Sequence, residues 1–207
     1  MEIDLRGLSA NQVYHHMNQT LVPRPIAWVL TENASGSLNL APFSYFNGVS
    51  SDPPLIMLAI GLKSDGTPKD TRANILARRD FVVHIPSWEH MEWVNDSSAS
   101  LPEGVSEVEK LALETRPFPG CRLPRLATCR VAYGCQFHDQ QVIGPESMAM
   151  ILGRVETIYL DDTIASRDAK GRLQVDTQGI DPLARLGRGE FARLGEHRPL
   201  GRPRLGG

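Results

Sequence analysis

The chain has 207 residues, of which 41% are hydrophobic and 22% are charged. These proportions exclude a disordered chain, a fibrous repeat and a small disulfide-stabilised protein. Lys and Arg together number 22 against 24 for Asp and Glu, which gives a formal net charge of −2 and no basic excess for binding nucleic-acid phosphates.

The sequence also argues against a membrane protein and a metalloprotein. The longest apolar run, Leu55 to Ile60, is far shorter than the ~20 residues of a membrane span. The first residues are acidic and are followed by no apolar stretch, which disfavours a signal peptide. Cysteines and histidines lie at no metal-ligand spacing. We therefore predict a cytoplasmic protein without a metal site.

Short apolar runs punctuated by Gly and Pro predict a mainly β protein, a sandwich or a barrel, with helices between some strands. Prolines at 42, 53 and 54 cannot donate in a sheet, so we expect the segment around them to run irregularly beside it. In chain order, strands are predicted at 25–31, 55–61, 80–86, 125–137, 147–160 and 172–176, and helices at 70–79, at 88–95 and after Ser106.

The first informative stretch covers residues 23–31 and 39–47, which mix prolines, aromatics and small polar residues. Free backbone groups in such a stretch can hydrogen-bond a flat polar heterocycle, while Trp28, Phe43 and Phe46 offer apolar contact to its faces. The alternative is a proline-rich loop whose aromatics close the end of a barrel.

The second stretch is 69–74, where a lysine, a hydroxyl and an amide gather at the predicted start of a helix. The unpaired N–H groups and partial positive charge of a helix N-terminus suit a phosphate, to which Lys69 and Thr71 add a charge and a donor. The alternative is an ordinary helix cap.

Together these stretches resemble the flavin-reductase-like family, with its FMN-binding split β-barrel, of the flavoredoxin or NAD(P)H:flavin oxidoreductase type. The resemblance rests on residues 23–31, 39–47, 52–54, 69–74 and 151–155, in that order. It spans roughly residues 20–190, which makes it far more specific than one motif.

The resemblance implies a homodimer that binds FMN near the subunit interface, with NAD(P)H as the electron donor. Flavin would carry the hydride chemistry, so no catalytic side chain is predicted. Asp70 is expected to cap backbone N–H groups, and His138 to be a surface residue. The implied FMN contacts are Trp28, Thr31, Asn39, Leu40, Ala41, Pro42, Phe43, Ser44, Phe46, Asn47, Lys69, Asp70, Thr71, Asn74 and Arg185.

Three functions remain open at this stage. The first is an FMN-dependent oxidoreductase that passes reducing equivalents from NAD(P)H to a flavin, a partner oxygenase or another acceptor. The second is a flavoredoxin-like electron carrier, and the third is a split-barrel protein for another ligand such as haem. We divide the chain into a flavin-binding domain, 1–194, and a C-terminal arm, 195–207, that is rich in Gly, Pro and Arg and is expected to reach a neighbouring subunit.

Overall fold

The computed structural model, which describes residues 1–102, 104–145 and 148–201, is built around an antiparallel sheet of seven strands. The strands in chain order are β1 (Arg24–Pro25), β2 (Ala27–Glu32), β3 (Leu38–Phe43), β4 (Phe46–Ser51), β5 (Pro54–Ile60), β6 (Asp80–Ile85), β7 (Thr115–Arg116), β8 (Arg125–Leu126), β9 (Val131–Ile143), β10 (Met148–Leu160), β11 (Ala165–Arg167), β12 (Leu173–Val175), β13 (Ala184–Arg185) and β14 (Phe191–Ala192). The α-helices are α1 (Ala10–Thr20), α2 (Asp70–Arg78), α3 (Met91–Asp96), α4 (Glu107–Lys110) and α5 (Thr177–Ile180), and a 3₁₀ turn at Trp88–His90 leads into α3.

The order of strands in the large sheet is β3-β2-β6-β9-β10-β5-β4. The long hairpin of β9 and β10 therefore joins a ribbon made by β3, β2 and β6 to a ribbon made by β5 and β4. Two β-bulges interrupt the pairing of β9 with β10. Smaller sheets join β1, β13 and β14, pair β11 with β12, and pair β7 with β8.

The expected irregular course around Pro42 is wrong. Residues 38–43 and 46–51 form β3 and β4, which are the two edge strands of the large sheet. Pro42 lies opposite Trp28 of β2. An edge strand needs hydrogen-bond donors on one side only, so proline is tolerated there.

Helix α1 was not predicted from the sequence. Its N-terminus has a complete capping box, in which Ser9 accepts from the N–H of Gln12 and Gln12 accepts from the N–H of Ser9. Few of its residues are apolar, and none of them is buried. The apolar pattern that reveals an amphipathic helix is therefore too weak here to be recognised.

The core lies on both faces of β2, because successive side chains of a strand point to opposite sides. Trp28 and Leu30 pack in one cluster, which includes Val94 of α3, whereas Ala27 and Val29 pack in the other. Since β2 is enclosed on both faces, β3 and the loops at its end form the nearest accessible surface.

Candidate functional site

A continuous groove, which we call the β3 groove, runs alongside β3 and past its end at Ser44. It consists of four adjoining cavities of about 330, 660, 230 and 480 Å³. Neighbouring cavities share the residues Pro42, Phe43 or Ser44, or the side chain of Tyr14. We name them, in the same order, the α2 cavity, the central cavity, the Phe191 cavity and the arginine cavity.

Each cavity has its own chemical character. The α2 cavity is lined by Asn39, Lys69, Asp70, Thr71, Glu107 and residues 97–101. The central cavity is lined by Tyr14, Phe43, Tyr45 and Lys63, the Phe191 cavity by Ile26, Val94, Ser98, Arg185 and Phe191, and the arginine cavity by His15, Asn18, Arg24, Arg185, Gly187 and Arg188.

A buried network of amides and hydroxyls fixes Thr71 at the start of α2. The side-chain amide of Asn39 donates to Thr71 Oγ1 at 3.0 Å and to Thr31 Oγ1 at 3.1 Å. The amide of Asn74 donates to the same Thr31 oxygen at 3.1 Å and to Asn33 Oδ1 at 2.8 Å. Because Thr71 Oγ1 already accepts from Asn39, its own O–H is oriented to donate elsewhere, and the side chain lines the cavity.

Asp70, at the start of α2, differs in role from the prediction. The N-cap residue is Lys69, and no side chain caps this helix, so the expected cap by Asp70 is wrong. Asp70 instead forms an ion pair with Lys63, at 2.6 Å between Nζ and Oδ1. This ion pair partly neutralises the negative charge of Asp70 at the start of the helix. The ammonium of Lys69 lies 5.8 Å from the ring centre of Phe43.

Glu107 brings a buried carboxylate into the α2 cavity. Its Oε2 accepts from the backbone N–H of Leu40 at 2.8 Å, so α4 covers this part of the β3 edge. Burial raises the pKa of Glu107 above its ordinary value, and the nearby charge of Asp70 contributes in the same direction. The cavity therefore combines donors and positive charge with a buried acid whose pKa is raised.

The far end of the groove is aromatic and cationic. The guanidinium of Arg185 stacks 4.5 Å from the ring centre of Phe191 and donates to the carbonyl of Gly189 at 3.1 Å. Burial lowers the pKa of Arg185, and the positive charge of Arg24 lowers it further. The ring of Tyr14 lines three of the four cavities.

Nine of the FMN contacts expected from the sequence line the groove: Asn39, Ala41, Pro42, Phe43, Ser44, Lys69, Asp70, Thr71 and Arg185. Six others are not among the side chains that line its four cavities: Trp28, Thr31, Leu40, Phe46, Asn47 and Asn74. Thr31 and Asn74 belong to the hydrogen-bond network beneath Thr71.

Trp28 is the clearest departure from the arrangement that the sequence suggested. Its indole is fully enclosed in the core, where Nε1 donates to Ser97 Oγ at 2.9 Å. Leu40 is likewise fully buried, while Phe46 packs against the opposite core cluster and Asn47 lies on the exposed edge strand β4. None of these side chains faces the groove.

Sequence reasoning missed Tyr14, Arg24, Lys63 and Glu107. Tyr14 stands on α1, the helix whose apolar pattern is weak. Glu107 reaches β3 from more than 60 residues away along the chain, and the capping pattern at Ser106 gave only its helix. The capping box at Ser9 was the one local signal that could have revealed α1 and, with it, Tyr14.

Two further observations concern the described residues alone. None of their helices has both the length and the apolar character needed to cross a bilayer, and no group of His, Cys, Asp or Glu side chains gathers there as a metal site would require. His138, expected at the surface, is exposed and lies at one of the β-bulges of β9.

Comparison with known proteins places this fold among split-barrel flavin reductases and FMN-binding proteins. The structure superposes on nitrilotriacetate monooxygenase component B from Bacillus cereus with a TM-score of 0.87 and 29% identity, covering 97% of this chain and 98% of the other. It superposes on the 2-nitrobenzoate 2-nitroreductase NbaA of Pseudomonas fluorescens with a TM-score of 0.86 and 26% identity, covering 98% and 96%. An FMN-binding protein from Thermus thermophilus shares the fold (TM-score 0.72, 20% identity, 97% and 99% covered).

The sequence comparisons agree. The protein YwrF of Bacillus subtilis (strain 168) is 34% identical over 202 residues, which cover 95% of this chain and 96% of YwrF. The family model of the flavin reductase like domain matches residues 17–176. The predicted split β-barrel is confirmed. The chain therefore belongs to the flavin reductase like family.

Proposed function

We propose that the β3 groove binds FMN, with its phosphate in the α2 cavity and its ring system against Pro42, Phe43 and Ser44. The observation that carries this proposal is the start of α2. There the oriented hydroxyl of Thr71, the charge of Lys69 and the unpaired N–H groups of a nine-residue helix meet at one end of the groove. Phosphate is the part of FMN that such a site recognises.

We further propose that the protein is a cytoplasmic homodimer that uses NAD(P)H as electron donor. Bound flavin would accept a hydride from the nicotinamide and release two electrons to an acceptor. The family of the chain and the two oxidoreductases among its structural neighbours support this reading. One of those neighbours is a monooxygenase component, which supports a partner oxygenase as the consumer of reduced flavin.

The absorbance spectrum of the purified protein, before and after loading with FMN, tests the cofactor. We expect the bands of oxidised flavin, whereas a Soret band would identify haem and overturn the proposal. Anaerobic addition of NADH or NADPH then tests the activity. Rapid bleaching supports a reductase, and a bound flavin that NAD(P)H leaves oxidised would identify an electron carrier of the flavoredoxin kind.

A further inference from the structure

We propose that the arginine cavity binds the phosphate groups of the nicotinamide donor, an inference that rests on the proposed function. Three guanidinium groups line this cavity of about 480 Å³, each from a different element. Arg24 belongs to β1, Arg185 to β13, and Arg188 to the turn between β13 and β14. The first is buried, the second is half-buried and the third is exposed.

No carboxylate balances these charges. The described residues that line the cavity include neither Asp nor Glu, and none of the ion pairs within the described part of the chain involves Arg24, Arg185 or Arg188. Arg24 donates only to neutral oxygens: the carbonyls of Asn18, Leu21 and Leu186 and the hydroxyl of Ser44. Its charge therefore remains uncompensated beside that of Arg185, and a negatively charged ligand would relieve the repulsion.

The backbone holds Arg188 in a conformation that an arginine rarely adopts. Its φ is 57°, in the left-handed region, between Gly187 and Gly189. Gly187 is required by packing, because a Cβ there would lie 2.9 Å from the Cα of Gln19 on α1. Arg188 and Gly189, both with positive φ, are the central residues of the tight turn that joins β13 to β14, in which Glu190 donates its N–H to the carbonyl of Gly187 at 3.0 Å. No hydrogen bond or ion pair of the Arg188 guanidinium occurs among the described residues. The turn therefore accounts for the backbone conformation, and it presents to the cavity a guanidinium that the described residues do not pair.

The position and chemistry of the cavity indicate the ligand. Guanidinium forks suit phosphate, and several of them together suit a group with more than one negative charge. Asn39 in the α2 cavity and Ser44 in the arginine cavity are five residues apart along an extended chain, or ~17 Å, so the two anion sites are distinct. A dinucleotide with its nicotinamide in the central cavity would extend its phosphates past Tyr14 and Ser44 into the arginine cavity.

The test uses FMN-loaded protein and three variants. Arg188→Gly removes the guanidinium and suits the left-handed backbone, Arg188→Lys retains a positive charge, and Arg172→Ala removes an equal charge from a surface position outside the groove. Calorimetric titration with ADP represents the diphosphate, titration with adenosine 2′,5′-bisphosphate represents the extra phosphate of NADPH, and adenosine is the phosphate-free control.

We expect Arg188→Gly to bind ADP about tenfold more weakly than wild type, Arg188→Lys to fall between them, and Arg172→Ala to match wild type. In anaerobic bleaching, Arg188→Gly should raise the donor concentration for half-maximal rate by a similar factor. The rate at saturation should stay unchanged, because the phosphates lie away from the reacting ring. A loss confined to the 2′,5′-bisphosphate and NADPH would assign the cavity to the 2′-phosphate.

Equal binding of both phosphate probes by wild type and Arg188→Gly would overturn the inference. Flavin that is bound and bleached normally in both proteins would show at the same time that the proposed function stands. A wild-type protein that fails to retain FMN would instead overturn the proposed function itself.

Discussion

Single residues at the start of α2 carry the phosphate assignment, and Lys69 allows the cleanest test because its side chain is exposed and makes no cap. We expect Lys69→Ala to weaken FMN binding by about 1.5 kcal/mol, or roughly tenfold, since a charged contact to phosphate is lost. Fluorescence titration with FMN measures the affinity of the wild-type and Lys69→Ala proteins. Riboflavin, which lacks the phosphate, should bind both proteins equally.

The matched control for Lys69 is Lys110→Ala, which removes the same charge from the exposed end of α4. If the Lys69 and Lys110 variants lose FMN affinity to the same small extent, the general charge of the protein is responsible. In that outcome Lys69 does not contact the phosphate.

Glu107 gives a pH-dependent prediction at the same scale. The pKa of this buried carboxyl is raised above its ordinary 4.5, so the folded chain holds the proton at a pH where the unfolded chain has lost it. The stabilisation that protonated Glu107 contributes below pH 4.5 is therefore lost as the pH rises through the pKa that Glu107 has in the folded chain. Glu107→Gln, whose amide oxygen can still accept from Leu40, should be more stable than wild type at pH 7 and lose this advantage near pH 4.

Urea unfolding at the two pH values checks the Glu107 prediction, with Glu109→Gln, an exposed acid on the same helix, as control. A Glu107→Gln protein that is less stable than wild type at pH 7 would contradict it. That outcome would mean that the carboxylate charge stabilises the fold.

Residues close together in sequence were the ones that could be predicted. Lys69 and Thr71, which we propose to bind the phosphate, were singled out from local helix chemistry within six consecutive residues. The burial of Trp28 involves instead a distant segment of the chain, since its indole donates to Ser97, 69 residues further on. Single-sequence patterns carry no information on that contact, and the position of Trp28 therefore could not be predicted.

At the scale of the elements, His84 joins β2, β6 and β8 through one neutral imidazole. Leu126 donates its N–H to Nε2 at 2.9 Å, which leaves Nδ1 to donate to the carbonyl of Trp28 at 3.1 Å. Complete burial lowers the pKa of His84 from 6.5 to about 4. The unfolded chain therefore binds a proton more readily than the folded chain between these values.

We expect stability to be full above pH 6.5 and to fall by on the order of 3 kcal/mol as pH approaches 4, on account of His84. Denaturant unfolding across this range measures the loss. His84→Gln, which keeps a donor and an acceptor, should show a smaller dependence on pH. An identical slope in both proteins would assign the loss to other groups, such as His90, whose pKa burial also lowers.

Short apolar runs were sufficient to predict β2, β5, β6 and the β9–β10 hairpin, because the apolar and β-branched residues of each strand lie next to one another in the sequence. The edge strands were not predicted, since Pro42 argues against a strand unless its place at the edge is known. Strand order, like the position of Trp28, depends on contacts between distant segments.

For the whole molecule, the prediction concerns the arm that begins at Gly195. Its described part, 195–201, has no regular structure, and its His197 lies 3.0 Å from Gln178, while Leu200 is exposed. From the sequence we expect Leu200 and Leu205 to anchor the arm and its arginines to reach acidic groups or a flavin phosphate; Arg202, Arg204 and Leu205 lie outside the described residues. An exposed leucine and a proposed dimer lead us to expect that the arm covers part of a second subunit.

Truncation after Leu194 tests the arm by light scattering and flavin titration. We expect the truncated dimer to dissociate already at a higher protein concentration than the full chain does, and to hold FMN more weakly. Leu200→Ser, which alters one exposed side chain, is the milder companion variant. A truncated protein that remains dimeric and retains FMN would remove the arm from both roles.

The central position of the β9–β10 hairpin in the large sheet has a consequence for the synthesis of the protein on the ribosome. The ribbon of β3, β2 and β6 and the ribbon of β5 and β4 are complete once residue 85 has been made, yet neither has its partner until residues 131–160 emerge. At a synthesis rate of ~5–20 residues per second, both ribbons wait several seconds with open edges. We expect a nascent chain of this fold to be most prone to aggregation in that interval, because the edges of β6 and β5 that later pair with the hairpin are still unpaired.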